Sequence, residues 1–310
     1  MGGNPDMTGP KAGGISAVFY GNAYIMLALT TAMWGGNAIA GKLAIGEVSP
    51  MALVVLRWAG VVLLMGVVSR RKVMAEWPVM RERIWFLCAL GALGFTLFNG
   101  LFYVAAHYTV AINMGILQGG IPVFVLVGAL AVYRTPVSAV QAAGVLLTMI
   151  GIALIASRGD LERLAALEFN RGDILMVGAC ALYAGYTVAL RKRPNVSGLA
   201  MFTIMAGAAF VTAIPLAGIE IYLGQFQWPT PKGWGIVLFV TLFPSFLAQI
   251  FFLRGVDLVG PGRAGVWVNL VPIYASVFAV VILGEDFAWF HAAALVFVMG
   301  GIALANRTKS

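Results

Sequence analysis

The segment QAAGVLLTMIGIALIA at residues 141–156 recurs with small changes as HAAALVFVMGGIALAN at residues 291–306. The two copies start 150 positions apart, at 141 and 291. The same offset relates three further pairs: Gly115 and Gly265, Pro122 and Pro272, and Asn99 and Gln249. Apolar segments align easily by chance, but prolines, glycines and amides at one offset do not. The chain is therefore predicted to contain two copies of one unit.

Toward the start of each half the offset slips slightly. VSPMA at residue 48 corresponds to VSGLA at residue 196, and MWGGNAIAGK at residue 33 corresponds to LYAGYTVALR at residue 182. In this alignment the second copy replaces three residues of the first: Trp34 by Tyr183, Asn37 by Tyr186, and Arg57 by Met205. The two halves are therefore expected to share a fold but to differ in chemistry.

The composition indicates a membrane protein. Hydrophobic residues make up 61% of the 310 positions and charged residues 10%, with a mean hydropathy of +0.93. A soluble domain carries about 25% charged residues. The formal charge of +8 could suggest nucleic acid, but Lys and Arg gather in short gaps between apolar runs, as in membrane topology. We expect a lipid bilayer as the surroundings and no nucleic-acid partner.

Apolar runs long enough to cross a bilayer need roughly 20 residues. Ten are predicted: 22–43, 49–69, 84–106, 110–132, 136–156, 172–191, 197–219, 233–255, 260–282 and 287–306. The predicted organisation is a disordered tail (1–20), a five-helix repeat (21–157), a loop (158–171), a second five-helix repeat (172–306) and a short tail (307–310). Because five is odd, the second copy enters the membrane from the opposite side. The sequence predicts an all-α membrane protein with two inverted repeats around a central cavity.

The distribution of Lys and Arg predicts the orientation. If the N-terminus is cytoplasmic, fourteen of these residues fall in cytoplasmic segments and five in the segments on the other side. The side with more positive charge faces the cytoplasm. Both termini are therefore expected to be cytoplasmic.

The stretch MWGGNAIAGKLA at residues 33–44 contains the spacing G-x-x-x-x-G-K, which resembles a phosphate-binding loop. Leu43 follows Lys42, so the hydroxyl that would bind Mg²⁺ is missing. The stretch also lies within an apolar run instead of following a strand. Glycines in such a run allow close helix packing, and Lys42 is expected to extend to water at the end of the span. We expect no nucleotide, no cofactor and no metal.

Polar side chains within the spans are the candidate binding groups, since such groups usually face a bundle interior. They are five amides and five aromatic residues: Asn37, Asn99, Gln118, Gln249 and Asn269, with Trp34, Tyr103, Tyr183, Tyr186 and Trp267. Amides can pair with both an ammonium and a carboxylate, and aromatic rings can stack on a side chain or lie beside a cation. That chemistry fits a zwitterion, although each residue could instead serve packing alone.

Four further residues interrupt the spans. Pro122, Pro244 and Pro272 each remove a backbone donor and free a carbonyl, which predicts a hinge or an ordinary kink. Arg57 lies about eight residues into its span. It could extend to water, bond to carbonyls of a neighbouring helix or attract a carboxylate, and the structural role is the favoured interpretation.

The motifs MWGGNAIAGKLA (33–44), LRW (56–58), GGIPVFVLVGAL (119–130) and GVLLTMIGIALI (144–155) resemble the drug/metabolite transporter superfamily in its EamA group. The chain is most similar to the YddG-type bacterial amino-acid exporters, over residues 20–306. This resemblance implies ten helices, a central cavity, alternating access and export of amino acids, aromatic and other neutral ones. It also implies the bacterial cytoplasmic membrane, and we expect a monomer.

The carboxylates all lie in tails, loops or span ends, and His107 and His291 lie near span ends. Proton-driven carriers commonly use intramembrane Asp, Glu or His, so uniport-like transport is expected. A related carrier for drugs or other metabolites, with or without proton coupling, remains the alternative. An enzyme is not expected, because no nucleophile and base lie together at membrane depth. A channel would need a continuous polar lining.

Overall fold

The computed structural model describes residues 21–160, 162 and 170–305. The regular secondary structure of these residues is helical, and none of them lies in a strand. The predicted tails, 1–20 and 307–310, and most of the predicted loop 158–171 lie outside the described residues. The predicted repeat boundaries therefore stay a prediction.

Eleven helices follow one another along the described chain. They are α1 (Ala23–Leu43), α2 (Pro50–Val68), α3 (Arg70–Arg81), α4 (Ile84–Ala105), α5 (Ala111–Gln118 and Ile121–Tyr133), α6 (Ala139–Ser157), α7 (Arg171–Ala189, continued by the 3₁₀ turn Leu190–Lys192), α8 (Gly198–Tyr222), α9 (Pro231–Val259), α10 (Pro261–Val268, Val271–Phe278 and Ala279–Leu283) and α11 (Trp289–Ala305).

Eight of these helices are long and apolar enough to cross a bilayer: α2 and α4 to α10. A multi-pass membrane protein is thereby confirmed, whereas the count of ten spans stays a prediction. Helix α1 is continuous over 21 residues but is less apolar, because it contains polar residues and glycines, and the described part of α11 has 17 residues. Helix α3 was not predicted. It is a short charged helix whose Glu76 carboxylate accepts the backbone N–H of Ser197, at the start of α8, at 2.8 Å.

The recurrent segment at residues 141–156, in α6, packs on its counterpart in α11. A Cβ added at Gly301 of α11 would lie 2.6 Å from the Gly144 carbonyl oxygen and 2.2 Å from Thr148 Oγ1 of α6. Farther along α6, Gly151 lies against Ala294, whose carbonyl oxygen would be 3.0 Å from an added Cβ. Because residue numbers rise along one helix and fall along the other, α6 and α11 are antiparallel. Small residues allow this close approach.

The long helices are interrupted at corresponding places in the two halves. Helix α4 contains a π-helical segment at Ala92–Leu97 and α9 contains one at Thr241–Leu247. Helix α5 breaks between Gln118 and Ile121, and α10 breaks between Val268 and Val271. Pro122 and Pro272 lie in the first turn after these breaks. The recurrence therefore extends from the sequence to the local backbone geometry.

The helix contacts recur as well. Helix α1 packs on α9 and α10, and its counterpart α7 packs on α4 and α5. Helix α2 packs on α8, and α6 packs on α11. Exchanging the two halves leaves this pattern unchanged. The π-helical segment of α4 packs on α8, and that of α9 packs on α2.

Candidate functional site

Arg57 of α2 is the centre of a buried polar cluster. Its side chain is only 5% exposed. Nη1 donates to Asn99 Oδ1 at 2.7 Å, to Tyr103 OH at 2.5 Å and to Asn37 Oδ1 at 3.2 Å. Nε donates to Ser245 Oγ. We call these five residues the polar cluster. It joins α1, α2, α4 and α9, so both halves of the chain contribute to it.

The interrupted helices position these partners. Pro244 lacks a backbone N–H and lies in the π-helical segment of α9, where the Ser245 hydroxyl donates to the Val240 carbonyl. In α4, Asn99 follows the other π-helical segment and donates its Nδ2 to the Phe95 carbonyl at 2.6 Å. That bond leaves Oδ1 of Asn99 to accept from the guanidinium. Single π-helical turns are frequent where a helix presents side chains for function.

The positive charge of Arg57 has no paired negative charge in the polar cluster. Among the described residues no carboxylate pairs with Arg57, and its hydrogen-bond acceptors are neutral. The guanidinium carbon lies 5.4 Å from the centroid of the Trp58 ring and 5.9 Å from that of the Tyr103 ring. Dipoles and ring faces stabilise a cation less than a carboxylate does at this depth. Among the described residues, the positive charge of Arg57 is therefore not compensated by a negative one.

An aromatic cluster lies directly beside the polar cluster. Trp58 stacks on Phe95 with ring centroids 4.8 Å apart and an interplanar angle of 11°. Phe95 contacts Tyr186 at 5.5 Å, Tyr186 contacts Tyr183 at 5.3 Å, and Tyr183 contacts Phe98 at 5.0 Å. We call these five residues the aromatic cluster. It joins α2 and α4 of the first half to α7 of the second.

The structure brings together several of the sequence-predicted site residues. Asn37, Asn99 and Tyr103 lie in the polar cluster, and Tyr183 and Tyr186 lie in the aromatic cluster. Trp34 lies next to them, since its indole Nε1 donates to the Pro244 carbonyl at 3.0 Å and its ring contacts Phe252. Their contact with a solute stays a prediction.

In the described part of the chain, the other predicted residues make no hydrogen bond or ring contact with either cluster. Gln118 and Asn269 occupy the breaks of α5 and α10, and half-buried Gln249 follows the π-helical segment of α9. The ring of Trp267 contacts Tyr24 in the first turn of α1 at 5.9 Å. Tyr24 precedes Asn37 by thirteen residues, which is about 20 Å along a helix. Trp267 therefore lies near the end of the bundle where α1 begins.

Sequence reasoning missed Ser245, Trp58, Phe95 and Phe98. Trp58 belongs to the LRW motif, and Ser245 follows an intramembrane proline, so each had a signal beside it. Phe95 and Phe98 had none, because phenylalanine in an apolar span is indistinguishable from ordinary packing.

A separate apolar groove of about 540 Å³ lies between α1, α9 and α10. Met33, Gly36 and Ile39 line it on α1, with Phe239 and Phe278 opposite. None of the five polar-cluster residues lines this groove. The groove is therefore separate from the polar cluster.

Charged residues hold one end of the bundle together. Lys42 of α1 donates its Nζ to the carbonyls of Ala106, at 2.8 Å, and Thr109, at 3.0 Å. Glu285, between α10 and α11, accepts the backbone N–H groups of Ala111 and Ile112 at 2.7 and 2.9 Å. We call these contacts the end network. Lys42 is half-buried at the end of α1, and its bonds to carbonyls of the α4–α5 loop were not predicted from the sequence.

Two carboxylates at the same end are buried. Asp173, in the first turn of α7, is 2% exposed and accepts from Thr109 Oγ1 at 2.5 Å. Glu220, near the end of α8, is 9% exposed and accepts from Ser49 Oγ at 2.6 Å. Their positions at helix ends agree with the sequence. Their burial was not expected.

The loops at this end also carry titratable groups. The hydrogen bond from the Thr230 hydroxyl, and then the adjacent Lys232 ammonium at 3.2 Å, hold the pKa of Glu47 below its ordinary value. Partial burial, and then the Lys42 ammonium, lower the pKa of His107, while Glu220 opposes the change. His107 is therefore neutral near pH 7.

Helix packing closes the same end. Ala111–Gln118 packs along Val271–Phe278, and a Cβ added at Gly115 would lie 2.3 Å from the Cβ of Ala275. The counterpart segments, Ile121–Tyr133 and Pro261–Val268, make no comparable contact in the described part of the chain. The bundle is thus packed tightly at the end where α5 begins and less tightly at the other.

Comparisons with known proteins agree with this architecture. The model of the EamA-like transporter family matches the chain twice, over residues 21–157 and 170–307. The uncharacterized transporter YetK of Bacillus subtilis is 27% identical over 296 residues, which cover 94% of this chain and 89% of YetK. An uncharacterized transporter of Archaeoglobus fulgidus is 28% identical, with 91% of this chain and 96% of that protein covered.

A crystal structure of another protein superposes with a TM-score of 0.63 at 18% sequence identity, covering 91% of this chain and 96% of that one. At this identity the likeness concerns the fold alone. The two matched segments and the superposition together describe a repeated helical transporter architecture over nearly the whole chain.

Proposed function

Because the chain belongs to the EamA-like transporter family, we propose that it exports amino acids, mainly neutral and aromatic ones, by alternating access. The proposed transporter is a monomer in the bacterial cytoplasmic membrane with both termini in the cytoplasm. The relatives are transporters without a stated substrate, so the solute is argued from the site.

The observation that carries the choice of solute is the contact between the polar and aromatic clusters. Amide groups of Asn37 and Asn99 offer both donors and acceptors, which suits the two charged groups of an amino acid. Trp58, the residue after Arg57, stacks on Phe95, and the other rings of the aromatic cluster follow in tilted contacts. Such a surface suits an apolar or aromatic side chain. Both repeats contribute to the pair of clusters, as expected for a carrier whose site lies where the repeats meet.

We also propose ten spans arranged as inverted repeats. The antiparallel packing of α6 on α11 supports opposite orientations of the two copies. So does the packing of α5 on α10, where Gly115 lies against Ala275 and Gly119 lies against Pro272. Two copies that run in opposite directions can exchange conformations, which is the basis of alternating access.

The uneven packing of the two ends supports alternating access. The end network and the contact between α5 and α10 join the ends of helices that the predicted orientation places outside the cell. In that orientation the described conformation is closed outward, ready to receive a solute from the cytoplasm.

Uniport-like transport is supported by the positions of the acidic groups. In the described residues no carboxylate lies in the polar cluster, and Asp173 and Glu220 are bonded at helix ends. The second candidate is a proton-coupled carrier of drugs or other small metabolites. The burial of Asp173 among neutral donors favours it, because a buried carboxyl group can bind a proton.

Counterflow in proteoliposomes tests the proposal. Vesicles loaded with unlabelled phenylalanine should transiently accumulate labelled phenylalanine above equilibrium, whereas protein-free vesicles should not. Failure of every amino acid to support counterflow would refute amino-acid transport. Uphill accumulation driven by an imposed pH gradient would replace uniport with proton coupling.

A further inference from the structure

We propose that the Arg57 guanidinium anchors the carboxylate of the transported solute, so that a carboxylate beside an apolar body is required and an amine is not. The inference rests on the proposed function for the solute's entry to this site. It assigns Arg57 a ligand role in addition to the structural role that the sequence favoured.

The first argument is the unmet charge of Arg57. The side chain is 5% exposed and is far from either end of α2, so it does not extend to water. Its partners do not include the backbone carbonyls of a neighbouring helix, and among the described residues they do not include a carboxylate. A guanidinium removed from water is costly unless an anion compensates it. A solute carboxylate supplies the missing charge.

The guanidinium of Arg57 has donors that no described group uses. Arginine has five N–H donors in a planar fork. The described acceptors use Nε and Nη1, and none accepts from Nη2. Carboxylates bind this fork through two parallel hydrogen bonds. Nη2 thus has donors left for a ligand.

A second, independent observation is the presence of two unpartnered polar atoms nearby. The indole Nε1 of Trp58 and the hydroxyl of Thr241 make no hydrogen bond to described groups. Their side chains are 3% and 6% exposed. Trp58 adjoins Arg57, and Thr241 lies in the π-helical segment that carries Ser245. Buried polar atoms are seldom left unpaired, and both of these can donate to an anion.

The difference between the repeats limits the ligand to one carboxylate. The position that corresponds to Arg57 in the second half is Met205, which is fully apolar and buried. Tyr186, at the position of Asn37, belongs to the aromatic cluster. One side of the site therefore offers a cation and the other offers rings. This arrangement fits a monocarboxylate with an apolar or aromatic body.

The test compares solutes that lack one group each. In counterflow of labelled phenylalanine, 3-phenylpropionate has no amine, whereas phenethylamine and phenylalaninamide have no carboxylate. We expect 3-phenylpropionate to compete within about tenfold of phenylalanine, and the two cationic compounds to be at least about tenfold weaker, as for loss of a charged hydrogen bond. Equal competition by phenethylamine and 3-phenylpropionate would overturn the inference.

Variants locate the effect. In Arg57→Gln, 3-phenylpropionate should no longer compete with phenylalanine. In Arg57→Lys, which keeps the positive charge but lacks the planar guanidinium, 3-phenylpropionate should still compete in part. In Arg83→Gln, which changes an exposed arginine just before α4, 3-phenylpropionate should compete as it does in the wild type. If Arg57→Gln does not fold, the inference is tested by the comparison of solutes on the wild type and by competition in Arg57→Lys. Undiminished competition in a folded Arg57→Gln protein would overturn the inference.

Thermal unfolding of the purified protein separates this inference from the proposed function. If no amino acid gives counterflow but 3-phenylpropionate raises the melting temperature and phenethylamine does not, the anchor stands and amino-acid transport fails. If phenylalanine gives counterflow but phenylalaninamide competes equally well, transport stands and the anchor fails. If no compound competes or stabilises, both fail.

Discussion

Replacing Glu285 by glutamine should loosen the packed end of the bundle. The carboxylate joins the α10–α11 loop to the start of α5 through the N–H groups of Ala111 and Ile112. Glutamine keeps the length but loses the charge and one of the two acceptor oxygens. A hydrogen bond to a charged group contributes about 1.5–3 kcal/mol, and a carboxylate at a helix N-terminus adds about 0.3–1 kcal/mol.

Glu285 is partly exposed, so screening by solvent reduces these values to about 1–2 kcal/mol. The ratio of closed to open molecules should then fall about 5- to 30-fold. If the wild type is about 99% closed, the variant should contain between about 5% and 25% open molecules.

Distances between spin labels measure this change. Cysteines at Tyr108, in the α4–α5 loop, and at Trp289, the first residue of α11, can carry the labels once the native cysteines are replaced by alanine, because both positions are exposed at this end. The wild type should give one short distance, and Glu285→Gln should add a longer one. Asp286→Asn removes the same charge from the adjacent exposed residue and should leave the distribution unchanged. A Glu285→Gln distribution that superimposes on the wild type, or an equal opening by Asp286→Asn, would refute the reasoning.

Three further predictions concern packing, pH and the polar cluster. Gly301→Ala should lower the melting temperature, at a cost of about 1–3 kcal/mol, because its Cβ meets α6; Gly207→Ala, with no neighbour within 4 Å, should not. Since the pKa of Glu47 is lowered, its bond to Lys232 should persist above pH 4.5 and be lost as the pH falls through the depressed value. The protection factor of the loop amides, which corrects for the intrinsic pH dependence of exchange, should then fall in the wild type but stay unchanged in Glu47→Gln. Asn37→Ala should slow counterflow about tenfold at an unchanged amount of folded protein, and a wild-type rate would remove Asn37 from the site.

The features that the sequence could predict are those that depend on repetition and on burial. The packing of α6 on α11 follows from the recurrent segment, because a helix that repeats its small residues can pack against its own copy. The breaks in α5 and α10 lie beside Pro122 and Pro272, where a missing N–H interrupts the hydrogen-bond ladder. Such features need only the local order of residues.

The polar cluster could not be predicted from the sequence in detail. Arg57 meets Asn37, Asn99 and Ser245 only after three other helices have taken their rotations about their axes, and two π-helical segments adjust those rotations. A π-helical segment in a span has little sequence signal unless a proline marks it, as Pro244 does in α9 and no residue does in α4. The burial of Asp173 was also hidden, since helix-end carboxylates are ordinarily solvated.

The divergence of the repeats has a consequence for how a solute can move. If both halves carried the same side chains, a site between them would accept a solute in two opposite orientations with equal energy. Arg57 and Met205 break this equivalence, and so do Asn37 and Tyr186. A solute with one charged end can therefore satisfy the site in one orientation only. If the proposed anchor holds, the charged end of the solute lies where α1, α2 and α4 of the first half meet α9 of the second.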